Sequence, residues 1–192
     1  MVIDFENFKD FLRIDKNSNI SVIYPSKNIL LKEYCLDIDN SDFVIRFNDF
    51  ITKGYEKNVG SKTDMIMSNY ESIRDYDKEC LKLAATPKVK TKFKNYYPIN
   101  YKSISIFIKK EYGFELDKKL PTAGFLIILL LVNNGFKNIN LYGYESKLKL
   151  TSDIYSYYYK ETKRSETKNL HDMTKESAII EELHDKKLIN IK

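Results

Sequence analysis

The sequence predicts an α/β fold, a three-layer sandwich with a mostly parallel sheet flanked by helices, on three observations. Short apolar runs recur at strand length, several nearly continuous rather than alternating, the pattern of strands buried on both faces. Segments with a helical apolar face fall between them. No repeat, low-complexity tract or Pro/Gly/Ser linker divides the 192 residues, so 1–192 reads as a single domain, with an N-terminal helix in 1–18 and the core in 19–192.

Taken in order, Asp4 to Ile14 is the first helix, with Phe5, Phe8, Phe11 and Leu12 toward one face. Strands are expected at Ile20 to Tyr24, Phe43 to Phe47, Met65 to Met67, Leu81 to Ala85 and Ile104 to Ile108, each an apolar run of strand length. Thr122 to Asn133 is a strongly apolar helix that opens behind Pro121 and closes on Gly135 as a C-cap. One more strand, Ile139 to Tyr142, precedes a last helix, Thr174 to Lys187, whose inner face carries Ile179, Ile180 and Leu183. In such folds ligands sit at the carboxyl ends of strands, where the topology switches.

Composition narrows the function classes. With 43% hydrophobic and 31% charged residues the chain has material for a core and is not a disordered one. The longest apolar run, Phe125 to Val132, is eight residues, well short of the roughly 20 that cross a bilayer. The start, MVIDFENFKDFL, has no basic region followed by an apolar stretch, so no signal peptide or anchor is expected and the protein reads as cytoplasmic. Cys35 and Cys80 sit in no C-x-x-C or Cys/His cluster and are expected reduced and buried. The net charge of +5 rests on 32 basic residues, of which only Arg13, Arg46, Arg74 and Arg164 are arginines. Readers of nucleic acid favour arginine forks, so no nucleic-acid partner is expected; a mild positive field suits anionic small substrates or an anionic membrane face.

Several segments carry candidate chemistry. Phe43 to Phe47 delivers Arg46 and Asn48 to a strand end, where such residues either meet a ligand or satisfy loop backbone. A second polar strand end follows at Ser68, Asn69 and Tyr70. Thr122, Ala123 and Gly124 open the most hydrophobic helix, whose N-terminal N–H groups and dipole suit an anion; equally, Thr122 is a cap and Gly124 a point of close approach. His171 lies just ahead of the last helix, where Asp172 or Thr174 can cap, and a histidine at a helix N-terminus is held neutral, the form of a general base; a surface histidine is the plainer reading. His184 falls on the polar side of that helix and is expected to face solvent. The Tyr155 to Tyr159 cluster offers phenols to a phosphate or simply packs an edge. Lys88 to Lys102 interleaves lysines with Tyr96, Tyr97 and Tyr101 and reads as a solvated connection. Asp37 and Asp39 imitate a D-x-D metal pair but precede a strand, where a surface turn is expected, and are not taken as a metal site.

In order, these segments resemble the four sialylmotifs of the family-twenty-nine glycosyltransferases, the sialyltransferases. The large motif is similar to Ile38 through Asn48 with Val59 through Asp64, and the small motif to Pro121 through Phe125 with Leu141 through Tyr144. The third resembles Tyr157-Tyr158-Tyr159-Lys160, and the very small motif, H-x4-E, is met by His171 and Glu176. The resemblance implies a Rossmann-like, GT-A-variant sialyltransferase fold and a metal-independent, inverting transfer of sialic acid from CMP-sialic acid to an acceptor sugar hydroxyl. It implies no cofactor, a CMP-sugar donor, and a glycan acceptor, galactose-terminated, in lipooligosaccharide or capsule synthesis, with peripheral contact at the inner membrane face. By the same resemblance His171 is the general base. Asn48 holds the nucleotide, with Asn69 at the neighbouring strand end; Thr122, Ala123 and Gly124 hold the donor's carboxylate or phosphate; and Tyr157 or Tyr158 holds the phosphate. Arg46 is structural at the site, and Glu176 stabilises the N-terminus of its own helix.

The chain departs from the pattern in three places. A glycine and asparagine turn is expected after the first strand, and Tyr24-Pro25-Ser26-Lys27-Asn28 stands there, so the nucleotide contact falls to Ser26 or Asn28. Tyr157 stands where the third motif often has histidine, and no cysteine near Pro121 matches the one that pairs the large and small motifs in animal enzymes. Two alternatives follow: a transferase for another CMP-activated acid such as Kdo, and a non-catalytic relative that binds a nucleotide or glycan.

Overall fold

The computed structural model describes residues 1–68, 79–85, 96–113, 120–146, 154–163 and 171–192. Asn69, Arg74, Arg164 and much of Lys88 to Lys102 lie outside them. The main sheet comprises β1 (Asn19–Ile23), β2 (Phe43–Phe47), β3 (Met65–Ser68), β4 (Leu81–Ala84), β5 (Tyr97–Pro98), β6 (Asn138–Tyr142) and β9 (Asn190–Ile191). It runs in the order β5-β4-β3-β2-β1-β6-β9, with every pairing parallel. The strands β7 (Ile154–Tyr157) and β8 (Lys160–Lys163) form a separate antiparallel hairpin. Successive strands step outward from β1 to β5, and the chain then returns to the other side of β1 with β6. The switch point therefore lies between β1 and β6.

Alternation along β2 sorts the two faces. Phe43, Ile45 and Phe47 enter the larger core with α1 (Phe8–Leu12), α4 (Tyr101–Tyr112), α5 (Ala123–Asn133) and α6 (Met173–Asp185). Val44 instead joins Ile29, Ile38, Val59 and Tyr158, contributed by a 3₁₀ turn (Lys27–Leu31), α2 (Cys35–Asp39), α3 (Glu56–Val59) and the end of β7. Helices thus cover both faces, the three layers expected, and strands buried on both sides need no polar alternation. The N-terminal segment belongs to this core: Ile3 bridges Ile99 and is fully buried with Phe8.

α5 is apolar throughout, and its residues Gly124 to Leu131 are all buried. It ends in a left-handed Gly135 (φ 78), with Phe136 N–H reaching back to the Leu131 carbonyl at 3.2 Å. One expected strand is corrected. Ile104 to Ile108 lies inside α4, where Ile104 and Ile108 are fully buried one turn apart and Ile106 is 61% exposed. Asn100 caps that helix by accepting from Ser103 N–H at 3.2 Å, and Gly113 closes it at φ 62. Asp37 and Asp39 sit in α2 rather than a turn, and Cys35 and Cys80 form no disulfide and are half-buried rather than buried.

Candidate functional site

The carboxyl ends of β1, β2 and β6 meet in an aromatic floor. The Tyr24 ring packs 5.3 Å from Phe47 and edge-on to Tyr144 at 5.4 Å, so one residue from each strand end lines the crevice beside the switch point. Over this floor lies the first turn of α5. A Cβ at position 124 would stand 2.6 Å from Tyr24 Cε1 and 2.9 Å from its hydroxyl oxygen, so glycine is what allows the helix to open against the ring. At the end of β2, Asn48 takes a left-handed conformation (φ 50) while its N–H reaches the Met67 carbonyl at 3.1 Å. Such a conformation costs a non-glycine residue free energy and is concentrated at ligand sites. Register places Asn48 beside Ser68, a buried strand-end residue of β3 whose hydroxyl has no partner among the described residues.

The first turn of α6 and the segment before it latch onto the start of α5. Glu176, buried, accepts the Thr122 N–H at 2.9 Å and the Thr122 hydroxyl at 2.6 Å. Thr122 in turn caps α5 by accepting from Phe125 N–H at 3.2 Å. Glu176 therefore holds the N-terminus of α5 while lying in the first turn of its own helix, whose cap is Asp172, accepting from Lys175 N–H at 3.3 Å. His171 Nδ1 lies 2.5 Å from the Leu120 carbonyl. A carbonyl only accepts, so in the neutral ring Nδ1 carries the proton and Nε2 the basic lone pair. With the Thr122 N–H and hydroxyl both held by Glu176, the expectation that Thr122 holds the donor's carboxylate or phosphate is corrected, and Ala123 and Gly124 supply the first-turn N–H groups that make no hydrogen bond among the described residues.

The turn after β1 is braced from two sides. Ser26 is buried and donates to the Gly143 carbonyl at 2.5 Å, with Asn28 Oδ1 also against its hydroxyl; Asn28 Nδ2 donates to the Tyr144 carbonyl at 3.3 Å. Both side chains thus shape the turn instead of standing open for a nucleotide. Ser26 also bridges Tyr157, which brings the hairpin to the same edge of the crevice, and Tyr157 stacks on Tyr159 at 5.6 Å. Tyr158 points the other way: it is buried and its hydroxyl donates to the Ile51 carbonyl, so the expectation that it meets a phosphate is corrected. Burial raises the Tyr158 phenol pKa.

Arg46 is fully buried on the face opposite Phe47, not at the crevice. Its guanidinium donates to the carbonyls of Val59 at 2.7 Å and Lys62 at 2.9 Å and to Thr63 Oγ1 at 3.0 Å, tying down the loop before β3. Burial lowers its pKa to about 10 despite Tyr158, Asp39 and Asp64 nearby. Asp39 Oδ1 accepts from the N–H groups of Ser61 at 2.8 Å and Lys62 at 2.9 Å, so this carboxylate too is a loop clamp. His184 is half-buried rather than solvent-facing, with Nδ1 3.2 Å from the Ile189 carbonyl. Sequence reasoning missed Tyr24 as the crevice floor and the Leu120 carbonyl as the partner that orients His171; the strand-end rule pointed to Tyr24 and Ser68, and nothing in the sequence pointed to Leu120.

The model of glycosyltransferase family 29 (sialyltransferase) matches residues 20–95 and 76–188. A mammalian sialyltransferase structure in complex with Gal-beta-1-3GalNAc-ortho-nitrophenol is 20% identical, with a TM-score of 0.69 over 100% of this chain and 80% of that one. The sialyltransferase CstII from Campylobacter jejuni, in complex with the substrate analogue CMP-3FNeuAc, is 15% identical, with a TM-score of 0.52 over 91% of this chain and 80% of that one. At these identities the likeness is one of fold. Among the curated proteins none matches the sequence significantly.

Proposed function

The chain belongs to glycosyltransferase family 29, the sialyltransferases, and on that premise we propose that it transfers sialic acid from CMP-sialic acid to a hydroxyl of a galactose-terminated surface glycan, with inversion and without a metal. The observation that carries this reading is the latch: the Leu120 carbonyl orients the His171 imidazole, and Glu176 ties the same segment to the helix start that can receive an anion. His171 Nε2 takes the acceptor hydroxyl proton as the oxygen bonds to the anomeric carbon from the face opposite the nucleotide. The bond from that carbon to the phosphate oxygen breaks, and cytidine monophosphate leaves with the electron pair.

The leaving group gains a single charge on a phosphate that is already an anion. The first-turn N–H groups of Ala123 and Gly124, the positive end of α5 and the Tyr157 phenol are the donors that support it, a set that needs no metal ion. Asn48, poised in its left-handed conformation beside Ser68, supports the nucleotide. Glu176 makes no contact with the reacting atoms in this mechanism; it positions Thr122 and hence the turn that carries the N–H pair.

A second reading, a relative that binds the nucleotide without turnover, draws on the turn after β1, where Ser26 is engaged by Gly143. The test is release of cytidine monophosphate from CMP-sialic acid by the purified protein, with and without lactose, in chelator, beside His171→Ala. Acceptor-dependent release that disappears in the variant is the expected result. Donor binding without release from any neutral glycan acceptor establishes the second reading, and a response to CMP-Kdo alone reassigns the donor.

A further inference from the structure

Tyr24 follows β1 directly, in the crevice where a doubly wound sheet takes its ligand. The residue is half-buried, and its hydroxyl oxygen is buried against the first turn of α5. Its Cε1, Cζ and hydroxyl oxygen would lie 2.6, 3.0 and 2.9 Å from a Cβ at position 124. That turn also carries the Ala123 and Gly124 N–H groups and the positive end of the helix. A leucine or phenylalanine would fill the space under Gly124 equally well. The tyrosine adds a phenolic oxygen, with its partial negative charge, beside the place where an anionic oxygen is to be received.

The backbone at this point is fixed and the side chain is not. Tyr24 N–H donates to the Tyr142 carbonyl at 2.8 Å, and Pro25, whose carbonyl accepts from Tyr158 N–H at 3.0 Å, keeps the residue before it extended. A Cβ at position 143 would stand 2.6 Å from the Tyr24 carbonyl oxygen, so the chain has no room to shift there. The ring meets Phe47 at 5.3 Å, tilted, and Tyr144 edge-on at 5.4 Å. A change of χ1 from one staggered well to another carries the whole ring off the helix start and leaves the strand end in place.

We propose that Tyr24 is a gate on the donor site. In the ligand-free protein its ring covers the start of α5, and the phosphate of the nucleotide reaches the Ala123 and Gly124 N–H groups only when the ring has turned away. A site that is open for a fraction of the time binds with its affinity reduced by that fraction, so a gate closed about nine-tenths of the time weakens the nucleotide about tenfold. Tyr24 thus sets how tightly the donor is held and takes no part in breaking its bond. The gate deepens the sialyl-transfer reading and rests on it for the identity of the nucleotide, but not for the competition at the helix start.

The experiment is a calorimetric titration of the full chain, Tyr24→Phe and Tyr24→Ala with cytidine monophosphate and, separately, with inorganic phosphate. Tyr24→Ala removes the gate and is expected to bind both anions about tenfold more tightly. Tyr24→Phe keeps the ring but not the oxygen that the helix start attracts, so it gains about threefold; its unaltered urea midpoint establishes that it folds. In turnover the KM for CMP-sialic acid falls in both variants while kcat is unchanged, a split that a packing role does not produce. Equal nucleotide affinity in all three proteins overturns the gate and leaves the sialyl-transfer reading standing. Weaker nucleotide binding by either variant makes Tyr24 a ligand contact and also overturns the gate. Phosphate that gains as expected, with no binding of cytidine monophosphate by any of the three, upholds the gate and removes the nucleotide. Failure of both anions to bind any of them overturns both.

Discussion

Thr122 and Glu176 lie 54 positions apart and share two hydrogen bonds to one buried carboxylate. Hydrogen bonds to a charged partner contribute roughly 1.5–3 kcal/mol each, and removing one partner leaves the other unpaired. A double-mutant cycle of Thr122→Ala and Glu176→Ala, read by urea unfolding, is expected to give a coupling of about 2 kcal/mol; additivity would mean that the latch stabilises nothing. Glu176→Gln keeps the shape and one acceptor, so it is expected to lower kcat more than it raises KM. The contact of Gly124 with Tyr24 makes a second residue-scale prediction. Gly124→Ala drives a methyl into the ring and is expected to cost about 1–3 kcal/mol. The double variant with Tyr24→Ala should lose less stability than the sum of the two single changes, because the clash disappears with the ring; a simple sum would show that the helix start, not the ring, resists the methyl.

At the scale of elements, Arg46 shows how a strand residue fixes a neighbouring loop. Its fork reaches three acceptors in the stretch from Val59 to Thr63, which a lysine at the same position cannot match. Arg46→Lys is expected to cost on the order of 2–4 kcal/mol and to open that stretch to proteolysis before the rest of the chain. Unchanged protease resistance there would assign the clamp to Asp39 alone. The same elements show what the sequence carried. α5 was legible because an apolar run too long for a strand lies between a threonine and a glycine that cap it locally. Ile104 to Ile108 was misread because isoleucines at alternate positions satisfy a strand period, and only Asn100 and Gly113, flanking the segment, report the helix. The strand ends that form the site were legible from composition, and so was His171. Its partner was not, nor was the partner of Ser26, which lies 117 positions away: contacts of that separation depend on how the sheet brings strand ends together, a property of topology that leaves no local pattern.

For the molecule as a whole, buried phenols set the response to pH. The chain has 15 tyrosines and no tryptophan, so tyrosine reports both ionisation and unfolding. Burial raises the pKa of Tyr101, Tyr112, Tyr142, Tyr144 and Tyr158 above the ordinary value of 10.0, that of Tyr144 to about 12. Above pH 10 the unfolded chain releases these protons and the folded chain holds them, so the native state binds more protons and stability falls as pH rises. The contribution of each tyrosine is complete below pH 10 and is lost as pH climbs to its folded value, which for Tyr144 means a window from 10.0 to about 12. Within its window Tyr144 lowers stability by about 1.4 kcal/mol per pH unit. Arg46 acts in the opposite direction: its pKa is lowered from 12.5 to about 10, so over that range the unfolded state binds the extra proton and stability gains one such increment. One arginine against five phenols leaves a net loss. Urea unfolding followed by tyrosine fluorescence is therefore expected to give a steep fall in stability above pH 10, with tyrosinate absorbance appearing together with unfolding. Tyr144→Phe removes one contributor and should make that fall shallower by about one proton; a fall of unchanged slope would mean that the Tyr144 hydroxyl ionises in the folded protein as it does in water.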